Sequence, residues 1–119
     1  MAATKQEKDW RGMFDSPYLG AWDLPQGEDR IVTITKVVGE ELMSNRGKDK
    51  KPVAYIEESD RGLVLNKTNA RTIAALYTND TNKWIGQRIT LYRTTVQVGP
   101  EVKDCIRVRP DRPADEVKK

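Results

Sequence analysis

The chain has no histidine and only one cysteine, Cys105, among 119 residues. Those scarcities exclude an intramolecular disulfide, a Cys/His zinc site and any catalytic triad built on imidazole. Cys105 stands between Asp104 and Ile106 in a strand-like run with no histidine to activate it, so it reads as a buried or half-buried structural thiol. Aromatic residues make up 7% of the chain, which limits the ring faces available to any ligand. No apolar run approaches the roughly 20 residues needed to span a bilayer. The opening Met1-Ala2-Ala3-Thr4-Lys5-Gln6-Glu7-Lys8 lacks the apolar segment of a secretory signal. A cytoplasmic protein with no membrane partner is the expectation. Gly39, Gly47 and Gly62 stand alone as turn glycines, and no phosphate-cradling motif occurs. Glu57, Glu58 and Asp60 are close enough in sequence to hold a hard metal, but a polar turn between two strands explains them more simply. No metal, cofactor or enzymatic activity is expected.

Charge is plentiful by contrast: 33% of residues are Asp, Glu, Lys or Arg, mean hydropathy is -0.73 and the isoelectric point is about 9.0. A chain of this length and polarity supports one small, strongly solvated domain. The net charge of +3 is unevenly spread: residues 1–30 carry -2, residues 31–83 carry +2 and residues 84–119 carry +3. The positive excess thus collects where an electrostatic footprint for nucleic acid would lie.

Residues 1–17 are polar apart from Trp10, Met13 and Phe14, and read as a mobile arm or a short helix that docks its aromatic residues. Residues 18–110 form the domain, and 111–119 a disordered tail. Strand one is Arg30 to Val38, where Val32 and Ile34 alternate with Thr33 and Thr35. Ser44-Asn45-Arg46-Gly47-Lys48-Asp49-Lys50-Lys51 is the most basic loop of the chain. Strand two is Pro52 to Glu57 and strand three Leu63 to Leu65. A helix spans Lys67 to Thr78, with Ile73, Ala74, Leu76 and Tyr77 on one side and Asn66 or Thr68 as N-cap. Strand four runs from Gln87 to Val98. Its apolar residues change phase between Leu91 and Val96, which predicts a β-bulge near Tyr92-Arg93-Thr94. Gly99-Pro100-Glu101-Val102 makes a hairpin loop before strand five, Asp104 to Arg109. This mostly β order, β-β-β-α-β-β, is that of a five-stranded oligonucleotide/oligosaccharide-binding (OB) barrel with the helix between strands three and four.

Leu65-Asn66-Lys67-Thr68-Asn69-Ala70, Trp84-Ile85-Gly86 ahead of Ile89-Thr90-Leu91-Tyr92, and Cys105-Ile106-Arg107-Val108 resemble a group of small phage- and prophage-encoded proteins. Tyr18-Leu19 and Asp23-Leu24 extend the resemblance over most of residues 18–110. It implies an OB-fold protein of phage replication or recombination, similar to single-stranded-DNA-binding proteins. The chain departs from the bacterial members of that class at its end: Lys118-Lys119 replaces the acidic tail with an apolar tip that recruits partners.

A barrel that binds single strands needs cations along the phosphates and ring faces on which bases stack. The cations are Arg46, Lys48, Lys50 and Lys51 in the first loop, Lys103 after the second, and Arg107 and Arg109. Alternation with Ile106 and Val108 places the last two on the outer face, about 7 Å apart along the strand. Solvated loop lysines and a ladder of arginine–carboxylate pairs are the plain alternatives. Tyr55 and Tyr92 are the stacking candidates, whereas Trp84 and Tyr77 read as core and Trp22 as a lid. For Tyr55 the inward phase is open, since Val53/Tyr55 and Ala54/Ile56 fit equally. The leading expectation is a non-catalytic protein that binds single-stranded nucleic acid, DNA favoured, with replication or recombination proteins as further partners. A protein-interaction adaptor built on the same barrel is the alternative, and the oligomeric state is left open.

Overall fold

A computed structural model describes residues 10–13, 16–44 and 47–113. Five strands form one antiparallel sheet: β1 (Arg30–Ser44), β2 (Gly47–Ile56), β3 (Ser59–Val64), β4 (Arg88–Val98) and β5 (Glu101–Val108). The helix α1 (Lys67–Tyr77) lies between β3 and β4 in the chain. No helix among the described residues is long and apolar enough to cross a membrane.

The spatial order is β3-β2-β1-β4-β5. β3 and β5 are therefore edge strands and the sheet is not closed, where the sequence predicted a closed barrel. Other groups satisfy the two edges instead. Residues 17–19 run parallel beside β3: Gly62 donates its amide to the Pro17 carbonyl (2.8 Å) and accepts from the Leu19 amide (2.8 Å). The chain then makes a 3-10 turn at Ala21–Asp23, and Ala21 and Leu24 enter the core. Asp23 takes the Arg61 guanidinium of β3 at 3.1 Å, fastening this strap. On the other edge, the buried amide of Asn69 donates from α1 to the Ile106 carbonyl of β5 at 2.9 Å. A strap and a helix thus cover the edges, since pairing groups left bare there invite other strands.

The core uses one face of each strand: Val32 and Ile34, Ala54 and Ile56, Leu63, Ile89 and Leu91, Ile106 and Val108, with Leu65, Ile73 and Trp84 behind them. Trp84 is buried as expected, and its indole N–H donates to the Thr78 carbonyl at 2.7 Å. Asn66 is the N-cap, its side chain accepting from the Asn69 amide. At the other end of α1, Arg112 donates to the Leu76 carbonyl and lies over the Tyr77 ring, as cations near helix C-termini do. The rest of the expected tail, 114–119, lies outside the described residues, as does Phe14. Trp10 keeps 66% of its surface exposed.

Two sequence expectations about the strands need correction. The basic stretch expected to be a loop is strand: β1 continues to Ser44 and β2 begins at Gly47, with Glu40 opposite Lys51 and Glu41 opposite Lys50. Opposite charges facing each other across the pair favour pairing where the lysines alone look like loop. Nor is there a bulge near Tyr92: β4 pairs with β5 without interruption from Leu91 to Val98. Val96 and Val98 point to the outer face, and Arg93 takes the inward position, neutralised by Asp104 at 3.0 Å. The strand outlasts the core, so apolar residues at its far end need not face inward. Register shifts fall elsewhere: in β1 at Thr35, between Ile34 and Lys36, and in the β2–β3 pair, between Ala54 and Ile56.

Gly62 has no room for a side chain: a Cβ there would sit 2.6 Å from Val53 Cγ1 and 3.0 Å from Tyr55 Cε1. Gly62→Ala should lower stability by about 1–3 kcal/mol through overpacking, measured as a lower urea midpoint with an unchanged slope.

Candidate nucleic-acid interface

Continuous pairing makes the outer face of β4 and β5 straightforward to reconstruct. Ile89, Leu91, Ile106 and Val108 face the core, so period-two alternation sends Tyr92, Thr94 and Val96 outward beside Arg107, Cys105 and Lys103, their partners across the pair. Arg109 follows β5 on the same side, its amide donating to the Thr90 carbonyl at 2.9 Å. Four of the expected residues, Tyr92, Lys103, Arg107 and Arg109, therefore share one face. Tyr92 is half-buried there without the help of a bulge.

The cations on this face are not equivalent. The Arg109 guanidinium lies 3.8 Å from the centre of the Tyr92 ring and donates to both oxygens of Asp29, at 2.9 and 3.2 Å. Its pKa is raised, chiefly by that hydrogen bond with Asp29. Lys103 sits 3.7 Å from Glu101 in an exposed pair, a contact of small energetic weight. Arg107 is half-buried, and no carboxylate among the described residues pairs with it. Its Nη1 is shielded from solvent without a hydrogen-bond partner. The salt-bridge ladder weighed from the sequence thus takes in Arg109 and leaves Arg107 out.

The second half of the outer face belongs to β1 and β2. Ala54 and Ile56 point into the core, which resolves the open phase and turns Tyr55 outward. The Lys36 ammonium lies 4.9 Å from the centre of the Tyr55 ring. The Tyr55 hydroxyl donates to one oxygen of Glu40, and the Tyr18 hydroxyl donates to the other. Glu40 is held below the usual carboxylate range by the Tyr18 hydrogen bond and then the Tyr55 one. The same contacts raise Tyr55 and push Tyr18 up to about 12. Lys51 faces Glu40 across the pair and shares this side. Lys48 and Lys50, an odd number of positions from Lys51 and Tyr55, project from the opposite face, and Arg46 lies outside the described residues.

Tyr55 faces Lys36, whereas Tyr92 follows Leu91, which faces Arg30. Six strand positions separate the two sites, about 20 Å along β1. The rings cannot serve one base, and the expected residues form two outer patches plus the separate pair Lys48 and Lys50.

Lys36, Glu40 and Asp29 contact the candidate residues without having been expected from the sequence. In a regular strand Lys36 would share the inward phase of Val32 and Ile34, and the shift at Thr35 reverses it. Asp29 meets Arg109 from across the fold, so no local pattern signals the pair.

Among the described residues, no group of three or more acidic, thiol or imidazole side chains is placed to hold a metal. The Tyr18–Glu40–Tyr55 bridge instead locks the strap to the sheet. Glu40 has a lowered pKa in the fold, so its stabilising contribution is present above the ordinary value of 4.5 and is lost as pH falls through the lower folded value. Tyr18 works in the other direction: its contribution is complete below pH 10 and is lost as pH rises toward about 12. Amide protection factors at Leu19 and Gly62 should fall below pH 4.5 more than elsewhere in the sheet. Glu40→Ala should speed the same amides at neutral pH, and unchanged protection would show that the bridge does not hold the strap.

Compared with known proteins, the chain matches no family model, no curated protein and no solved structure.

Proposed function

We propose that this is a non-catalytic protein that binds single-stranded nucleic acid, DNA in preference to RNA, on the outer face of β4 and β5. Arg107 carries this reading. A half-buried guanidinium without a carboxylate is costly to the fold, and it stands directly across the pair from Tyr92. A planar fork of donors beside a ring suits a phosphate next to a stacked base. The Arg109 guanidinium sits over the other candidate surface, the Tyr92 ring, 3.8 Å from its centre. Bases stack on guanidinium planes as well as on rings, so Arg109 and Tyr92 form one platform braced by Asp29. Lys103 extends the positive charge toward the hairpin. Tyr55, Lys36 and Lys51 offer a second contact for a strand long enough to cross β1.

Two further parts of the reading go with it. The strand order is that of an OB barrel opened between β3 and β5, and the fold is taken as a variant of that architecture. The resemblance noted in the sequence suggests phage replication or recombination in the host cytoplasm as the setting.

The test is fluorescence anisotropy of a labelled single-stranded oligonucleotide, of DNA and then of RNA, at several salt concentrations. Arg107→Ala should weaken binding and reduce the log–log salt slope by about 0.7, the value for one phosphate contact on a single strand. Tyr92→Ala should cost about 1–3 kcal/mol of affinity. An unchanged slope in Arg107→Ala would remove Arg107 from the interface. Absence of binding even at low salt would favour the protein-interaction adaptor, for which exposed Ile31 and Val98 on the same face would be the contact surface.

A further inference from the structure

Lys48 and Lys50 stand apart from the face assigned above, and the element that carries them is unusual. Beyond Val38 and Val53 the β1–β2 hairpin leaves the core as a two-stranded ribbon. No residue of 39–44 or 47–52 belongs to the core cluster. The register continues nonetheless from Gly39↔Pro52 to Ser44↔Gly47, so the ribbon projects about 20 Å. β4 pairs with β1 only at Arg30–Thr33, and β3 pairs with β2 only beyond Pro52, which leaves both edges of the ribbon without a neighbouring strand among the described residues.

One face of this ribbon has a distinct composition. Met43 pairs with Lys48 and Glu41 with Lys50, so the four side chains share a side. Met43 is 76% exposed, and both lysines are exposed. Neither lysine has an ion-pair partner among the described residues. Glu41 is the one acid on this face among those residues, which leaves the face positive, with an apolar side chain level with Lys48.

We propose that this ribbon is a second nucleic-acid contact, one that enters a groove of duplex DNA. A two-stranded ribbon fits the major groove, about 12 Å wide. Lys48 and Lys50 meet phosphates, and Met43 makes an apolar contact with base edges such as the thymine methyl group that this groove presents. The charge of the face matches a polyanion, and Met43 gives it something to bury. The β4–β5 face and the ribbon leave β1 at opposite ends, so one copy could hold a single strand and a duplex together.

The experiment titrates a labelled blunt duplex with the full chain at several salt concentrations. Lys48→Ala/Lys50→Ala should flatten the duplex salt slope by about 1.8, two contacts at about 0.9 each. Met43→Ala should weaken duplex binding with the slope unchanged, because it carries no charge. Glu41→Gln should tighten binding by removing repulsion. Arg107→Ala should leave the duplex titration as it is, which separates this contact from the single-strand face. Three results would overturn the proposal: no duplex binding at low salt, a slope unaffected by the double lysine variant, or Lys48- and Lys50-dependent sedimentation with phosphatidylglycerol vesicles but no duplex binding. The four ribbon residues Glu41, Met43, Lys48 and Lys50 are exposed, and a thermal melt matching the parent confirms that each variant, Arg107→Ala included, is folded.

Discussion

A sheet whose end strands do not pair with each other presents two rows of backbone donors and acceptors, and a small core cannot enclose them bare. Here the strap at residues 17–24 takes the β3 edge, while Asn69 takes a carbonyl of β5. The strap adds Ala21 and Leu24 to the core at the same time, so edge protection and core filling are done by one segment. The other elements depend on this arrangement. Without it, β3 loses Gly62's partners, Arg61 loses Asp23, and the Tyr18 hydroxyl leaves Glu40.

Charge is distributed with similar economy. Three arginines on or beside the sheet are committed to a carboxylate: Arg61 to Asp23, Arg93 to Asp104, Arg109 to Asp29. Both outward tyrosines lie beneath a cation, Lys36 or Arg109, contacts worth on the order of 0.5–1 kcal/mol at exposed sites. Against that background Arg107 stands out because it has neither partner. Under the proposed function, that half-buried guanidinium is the group left to meet an incoming phosphate.

Much of the architecture was legible in the sequence because it rests on local pattern. β-branched alternation marked β1, the 3.6-residue stripe marked α1, and Trp84 read correctly as core. The orientation of Arg107 also followed from alternation with Ile106 and Val108. What could not be read is non-local. The shift at Thr35 inverts the phase of Lys36 and depends on the distant pairing with β2, where the Thr35 hydroxyl donates to the Tyr55 carbonyl at 3.2 Å. Strand one was expected to end at Val38, but β1 continues through Glu40 and Glu41, which stand opposite Lys51 and Lys50. Val96 suggested a bulge because the sequence cannot tell where the core ends and a strand continues without it. The closed barrel was expected from strand order alone, and strand order does not say whether β3 reaches β5 or a strap intervenes.

The split of β1 between two partners has a kinetic side. The hairpins β1–β2 and β4–β5 join residues near each other in the chain, and closing such short loops is entropically cheap. Pairing Arg30 with Leu91, or Tyr18 with Gly62, requires closure of long loops that reward the chain only once both ends are in place. Hairpins therefore have the advantage in early assembly, and the strap, seated on an edge that must already exist, belongs to the last steps. Until it arrives, β3 presents an open edge, and the time spent in that state sets how readily one nascent copy can pair with another.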